Sequence, residues 1–480
     1  MIQVCGNSAL SIKAFTADGQ GYVYSAWSNE IARVGNHLYS LLRDDAPMAS
    51  RQETALRLGL LPSVPIPIEV FPDEMIATSL AEVQRSGPSH LVLTVTEACN
   101  FRCRYCSYSG AYYYGRRHGK THMTEQTAFA AVNWYLRFER LKYSIGFYGG
   151  EPLLRRALIE RVIDEARAKL PTGSELSLSM TSNGWLLDPR SIQFLVDNSI
   201  DLFVSLDGPA SVHDRYRLTV RGKPTFARVW NGIRKVRQRY PEYYDCHVNF
   251  SMTLAPPNAM SEIHAFIQGH AEYFSGKALK LGTLNGSPSR VLQELGLSEG
   301  NDRIDLSSLR RRYIATLVNG NLPDELSRAC NEAAMAKIHN RNMTKITDLR
   351  TSAGQCTPGN RCHITLDGRM HMCEHGDEQR PIGHVDGGFD PARIREQIER
   401  FRDFVQPRCQ QCWAVRLCSK CIPQLAMGTT LSPEVFSAQC ASIQAALEHD
   451  LADYCRARSR NERCFDSLSY GQDEPIAPFQ

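Results

Sequence analysis

The chain has 480 residues, 42% hydrophobic and 22% charged, with a net charge of +4. That length supports a large core and two or three domains, and so small a charge excludes a general binder of nucleic acid or anionic membrane. No run of about 18 apolar residues exists, so no membrane helix is expected. The first residues show no secretory pattern, which predicts a cytoplasmic protein, and there sixteen cysteines point to metal or redox work rather than a disulfide scaffold.

Residues 1–88 read as a small α+β module. GYVYSAWSNEIARVGNHLYSLLRDD predicts a strand, a turn at Ser28-Asn29, a second strand and a helix. The Pro-rich stretch LPSVPIPIEVFPDE reads as a linker or extended segment. From 89 to 285, six apolar runs predict strands at 91–95, 145–149, 176–182, 201–207, 248–254 and 279–282. Between the first two, Thr124 is placed to cap a helix whose apolar face carries Ala128, Ala131, Val132, Tyr135 and Phe138. Strands alternating with helices imply an α/β fold with a parallel sheet, closed as a barrel or open as a partial one, and place the chemistry at the strands' C-terminal ends. Residues 286–350 read as a helical linker, 351–445 as a cysteine-rich domain, and 446–480 as a final helix and loose tail. No internal repeat is present.

Eleven of the cysteines fall in two groups. Cys99, Cys103 and Cys106 follow the first strand with spacing C-x3-C-x2-C. Offsets of four and seven would also suit one face of a helix, but Asn100, Arg102, Arg104 and Ser107 are poor company for a helix core. Zinc would lack a fourth nearby ligand. A four-iron cluster held by three thiolates would keep one iron open, and Arg102 and Arg104 favour the thiolate form. The second group is Cys356, Cys362, Cys373, Cys409, Cys412, Cys418, Cys421 and Cys440. Its two C-x2-C pairs leave a double zinc site open as a reading.

The further motifs narrow these alternatives. Tyr105 precedes the third cysteine; the second strand ends in Gly149-Gly150-Glu151-Pro152, the third in Thr181-Ser182-Asn183-Gly184, and the fourth in Ser205-Leu206-Asp207-Gly208-Pro209, with Arg217 beyond. Over residues 89–285 the chain thus resembles the radical S-adenosylmethionine (SAM) family. The later cysteines resemble the SPASM domain of peptide-modifying members of that family. The resemblance implies a partial (β/α)6 TIM-like barrel with a small N-terminal α+β module and a C-terminal SPASM domain. It implies SAM contacts at Tyr105, Gly149, Gly150, Glu151, Pro152, Ser182, Asn183, Ser205, Asp207 and Arg217. It further implies three [4Fe–4S] clusters: Cys99, Cys103 and Cys106 hold the first, Cys356, Cys362, Cys373 and Cys421 an auxiliary one, and Cys409, Cys412, Cys418 and Cys440 another. Two residues separate Cys418 from Cys421 where the family usually has three, so Cys421 departs from the pattern.

In that family a 5′-deoxyadenosyl radical, made by reductive cleavage of SAM, removes hydrogen from an unactivated carbon. Glu374, beside Cys373, matches a position suited to taking up the substrate's proton. The expected function is a radical SAM peptide maturase that installs a thioether or C–C crosslink in a ribosomally made precursor peptide. Its leader would bind the N-terminal module by strand addition, and flavodoxin or ferredoxin would supply electrons. The alternatives are a formylglycine-generating sulfatase maturase and a non-catalytic zinc or electron-transfer module.

Overall fold

The computed structural model describes residues 11–112, 116–257, 259–284, 291–297, 306–351, 361–374, 378–420, 426–427 and 430–468. Residues 469–480 of the expected loose tail, Cys356 and Cys421 lie outside them; the start of that tail, Asp466–Leu468, forms a 3-10 turn.

The N-terminal module comprises β1 (Ile12–Ala17), β2 (Gln20–Ser25), β3 (Glu30–Val34), α1 (Asn36–Leu42) and α2 (Met48–Arg57). The strands form an antiparallel sheet in the order β1-β2-β3, leaving β3 at one edge. The expected turn lies between β2 and β3. There Asn29 adopts a left-handed φ of 57°, held by the Tyr24 hydroxyl, which donates to Asn29 Oδ1 at 2.6 Å. This turn is also the module's anchor. The Trp27 indole donates to the Ile346 carbonyl at 2.8 Å, Asn29 Nδ2 to the Asn342 carbonyl at 3.0 Å, and Arg416 to the carbonyls of Ala26 and Trp27. Strand β1 and helix α2 were not foreseen. The Pro-rich stretch holds β4 (Ile68–Val70), which pairs in parallel with β11 (Leu349–Thr351). Helix α3 (Asp73–Ser86) leads into the barrel.

The barrel strands are β5 (His90–Thr96), β6 (Lys142–Gly149), β7 (Glu175–Ser182), β8 (Asp201–Ser205), β9 (Val248–Leu254) and β10 (Leu279–Thr283). All six expected strands are present, paired in parallel in chain order. Helices α4 (Glu125–Tyr135), α5 (Arg156–Lys169), α6 (Pro189–Asp197), α7 (Ala210–Tyr216), α8 (Phe226–Arg239), α9 (Pro241–His247), α10 (Met260–Gly269) and α11 (Ala271–Phe274) fill the connections. Thr124 caps α4 by accepting from the Thr127 N–H, as expected. Asp188 caps α6 in the same way, with Pro189 preset for the first turn.

Side-chain alternation gives the sheet two faces. In β9, Val248, Phe250, Met252 and Leu254 are buried with the helices' apolar residues, and Asn249, Ser251 and Thr253 point the other way, into the lumen. The same alternation in β5 and β6 buries Leu93 and Phe147 outward and turns Thr94 and Tyr148 inward.

The sheet does not stop at β10 and β5. Strand β12 (Arg361–Ile364) pairs in parallel with β5, Cys362 opposite Leu91, so the sheet crosses the expected boundary at residue 351. Beyond it, β13 (Arg369–His371), β14 (Gly383–His384) and β15 (Gly388–Phe389) continue antiparallel, giving a ten-stranded sheet. On the lumen side a His363–Thr94 hydrogen bond of 2.7 Å spans β12 and β5. Cys362 and Ile364 sit on the opposite, apolar face. RCHI is too short, and too rich in cysteine-module cues, to announce a strand. Outside the barrel the described residues also form α12 (Val291–Glu294), α13 (Ser307–Val318), α14 (Glu325–His339), α15 (Pro391–Cys409), the antiparallel pair β16 (Ala426–Met427) and β17 (Thr430–Leu431), and the expected last helix, α16 (Pro433–Arg460). Among the described residues no helix is long and apolar enough to cross a membrane.

Because Ile364 is fully buried where β12 meets the barrel's outer layer, Ile364→Ala should lower stability by about 3 kcal/mol. Chemical denaturation checks this, and a loss under about 1 kcal/mol would contradict the packing described.

Candidate active site

The cysteine loop leaves β5 and is tied down on both sides. The Arg102 N–H donates to the Leu218 carbonyl at 2.7 Å and the Arg104 N–H to the Tyr216 carbonyl at 3.0 Å. These bonds hold the loop against the segment that follows α7. The three thiols lie within one another's electrostatic reach: Cys103 acts on Cys99, Cys106 on Cys103, and Cys99 on Cys106. Burial pushes Cys99 and Cys103 up to about 12 and Cys106 up to about 11. Thiolates so desolvated need positive charge and hydrogen-bond donors. Donors are in place: the Phe101 N–H lies 3.3 Å from Cys99 Sγ, the Tyr108 N–H 3.4 Å from Cys106 Sγ, and Asn183 Nδ2 3.7 Å from Cys99 Sγ. N–H groups aimed at sulfur are the surroundings an iron–sulfur cluster takes. Among the described residues no three His, Cys, Asp or Glu side chains are set to hold a single metal ion.

The glycine pair explains its own composition. Gly149 has a φ of +142°, and a Cβ there would fall 2.3 Å from the Thr96 carbonyl oxygen; one on Gly150 would fall 2.2 Å from that of Ala98. Only glycine lets the end of β6 lie this close to the chain entering the cysteine loop. Glu151 follows, fully buried. Its Oε1 accepts from the Ser182 hydroxyl at 2.8 Å and the Leu153 N–H at 3.1 Å, and its Oε2 from the Asn183 N–H at 2.8 Å. Burial outweighs these donors and lifts the carboxyl to about 7. Glu151 therefore fastens the end of β6 to the end of β7. Pro152 opens the short 3-10 turn beyond it.

A second fastening joins β8 to the loop. Arg217 Nε donates to Asp207 Oδ2 at 2.8 Å and Nη2 to Oδ1 at 3.0 Å, both residues buried. The Tyr105 hydroxyl also donates to Asp207, and the Thr253 N–H donates to Asp207 Oδ1 at 2.9 Å. Burial works against the Asp207 charge, but Arg217 overrides it and holds the carboxyl below the usual range. The guanidinium lies 5.4 Å from the Tyr105 ring centre and hydrogen-bonds Cys103. Ser205, the last residue of β8, is buried beside this network.

Glu374 is buried too. Arg361 Nη2 lies 3.2 Å from its Oε1, and Arg116 donates to its backbone carbonyl. Tyr148, lumen-facing and one residue before Gly149, lies in the field of both Cys106 and Glu374. Tyr148 and Arg361 were not singled out from the sequence. The period-two alternation of β6 would have turned Tyr148 inward; nothing local marks Arg361.

Of the later cysteines, Cys409, at the end of α15, lies within electrostatic reach of Cys412, Cys418 and Cys440. Gln444 Nε2 lies 3.4 Å from Cys412 Sγ. Cys362 is buried in the apolar layer, where desolvation pushes its thiol up. Cys373 follows β13 and is half-buried. The other thiols of that expected set, Cys356 and Cys421, are not among the described residues.

Residues 93–268 match the Radical SAM superfamily. The barrel is a radical SAM domain, the domain of a superfamily whose cofactors are a [4Fe–4S] cluster and SAM. Its relatives include a serine-type anaerobic sulfatase-maturating enzyme of Bacteroides thetaiotaomicron, 27% identical over 32% of this chain and 37% of that protein. Another is the radical SAM cyclopropyl synthase TigE of Paramaledivibacter caminithermalis, 28% identical over 25% of this chain and 27% of the other. These alignments thus span well under half of either relative. A serine-type sulfatase-maturating enzyme of Klebsiella aerogenes aligns over 70% of this chain and 80% of its own length, at 20% identity. The solved structure of native anSMEcpe with bound AdoMet and Cp18Cys peptide has the same fold: TM-score 0.57 and 16% identity, over 79% of this chain and 99% of that one.

The raised Glu151 carboxyl carries a pH signature. Its folded value of about 7 lies above the unfolded carboxylate value of about 4.3. The neutral form stabilises the fold, fully at pH below about 4.3, and that contribution is lost as pH rises through about 7. Without SAM, the stability of the wild type relative to Glu151→Gln should therefore fall between these values and level off above. A difference independent of pH would contradict the burial described.

Proposed function

We propose that the chain is a radical SAM peptide maturase that joins two residues of a ribosomally made precursor peptide by a thioether or C–C bond. The observation that carries this reading is Tyr148, in reach of both Cys106 and Glu374, which sets the cysteine loop and a buried carboxylate on one lumen. A [4Fe–4S] cluster and SAM, when bound, supply a one-electron reductive cleavage that ends in removal of hydrogen from carbon.

In this reading Cys99, Cys103 and Cys106 hold the cluster, with the Phe101 and Tyr108 N–H groups supporting the sulfurs. The glycine pair lets the backbone at β6 approach SAM. Ser182, Asn183 and Ser205 line its site, and Tyr105 and Pro152 shape it. Glu151 sets the relative position of two strand ends, and the Asp207–Arg217 pair holds the loop's orientation. Glu374 is placed by Arg361 and by the Arg116 bond to its carbonyl, and it takes the proton that leaves when the substrate is oxidised. Cys409, Cys412, Cys418 and Cys440, and the set of Cys356, Cys362, Cys373 and Cys421, hold auxiliary clusters suited to accepting the electron that leaves with it.

The edge strand β3, on a module anchored at residues 26–29, offers a leader peptide a strand to pair with. A second reading draws on the long Klebsiella alignment: relatives named as sulfatase-maturating enzymes act on a sulfatase, and this chain would then oxidise a Cys or Ser of a protein. Tandem mass spectrometry of a co-expressed candidate peptide separates the readings. Loss of two hydrogens per site, with fragmentation suppressed between two residues, supports the crosslink.

Replacing Cys99, Cys103 and Cys106 together by Ala should abolish 5′-deoxyadenosine formation and leave roughly two-thirds of the iron. Turnover at the wild-type level would refute the assignment. Glu374→Gln should still cleave SAM but lose product by about a hundredfold or more, the range of a lost general acid or base; normal product yield would remove Glu374 from this role.

A further inference from the structure

Beside the cysteine loop lies a cavity of about 580 Å³, lined by Arg102, Cys103, Arg104, Tyr108, Ser109, Gly110, Arg117, His118 and Glu294. Its walls come from the loop, the segment after it and α12, and include no residue of the strand ends. Arg102, Arg104 and Arg117 are exposed, and among the described residues no ion pair involves any of them. His118 is pushed down to about 4 by burial and is neutral at pH 7. Three arginines thus line a cavity whose lining includes one carboxylate, Glu294; Arg102 Nη1 also donates to the Cys99 and Phe101 carbonyls at 2.9 and 2.7 Å. A cluster ligand, Cys103, lies in the same wall.

We infer that this cavity and its arginines form the docking surface for a small acidic one-electron carrier protein. The inference rests on the reading above, in which the first cluster must be reduced from outside. Charge complementarity selects the occupant: a cationic rim over a buried redox centre steers an anionic carrier and orients its redox group toward Cys103. The carrier is oxidised by one electron, which the cluster held by Cys99, Cys103 and Cys106 takes up; no bond forms or breaks and no proton moves.

Titration calorimetry of the cluster-loaded protein with an acidic flavodoxin tests this directly. Arg117→Glu should weaken binding about tenfold, with Arg117→Gln intermediate, and raising salt from about 50 to about 200 mM should weaken the wild type. Arg190→Glu, an exposed charge reversal on α6, should bind as the wild type does. Flavodoxin-driven SAM cleavage should fall in parallel with binding in Arg117→Glu, while dithionite-driven cleavage stays at the wild-type level. Equal flavodoxin affinity in the wild type and Arg117→Glu would overturn the inference, as would a loss of precursor-peptide affinity in place of flavodoxin affinity. If the wild type fails to cleave SAM even with dithionite, the functional reading falls, while the isotherms still decide the surface.

Discussion

The buried Asp207–Arg217 pair is the constraint on which the site depends. One carboxylate receives a bidentate guanidinium, the Tyr105 hydroxyl of the cysteine loop and the Thr253 N–H of β9. Through it, β8, β9 and the loop hold one geometry. A buried pair contributes to stability only if its remaining hydrogen-bonding positions are filled; here they are filled by the elements that must be aligned. Arg217 also reaches Cys103, so the charge that satisfies Asp207 supports a thiolate as well. Glu151 repeats the device one strand away, binding the ends of β6 and β7.

Much of this was legible in the sequence because the barrel repeats a simple physical rule. Val248–Leu254 alternates apolar and polar residues without a break, and the observed strand has the expected bounds. The glycine pair at the end of β6 was legible as a motif; that no other residue fits beneath the Thr96 and Ala98 carbonyls shows only in the structure. Thr124 announced the start of α4 by its side chain alone. What stayed hidden depends on long-range pairing. Arg361–Ile364 becomes a barrel strand only because β5 offers a free edge some 270 residues earlier in the chain. Arg116 matters because the fold delivers Glu374 to it.

That pairing alters the relation between barrel and cysteine-rich segment. Strand β12 leaves Arg361 and His363 on the lumen side and sends Cys362 into the apolar layer. The carboxylate of Glu374 and the cysteine loop are therefore positioned by one continuous sheet, with no hinge between them in the described residues. Helix α15, capped by Asp390 with Pro391 at its start, then carries Cys409 to the other thiols of its group. The α16 helix returns Cys440 to the same place.

The account stands on the claim that the loop of Cys99, Cys103 and Cys106, held by these two fastenings, is a SAM-cleaving centre. The most direct measurement is anaerobic incubation of the iron-reconstituted protein with SAM and dithionite, followed by quantification of both fragments. The account predicts 5′-deoxyadenosine and methionine in equal amounts. Intact SAM in a sample whose spectrum shows a reduced four-iron cluster would contradict it.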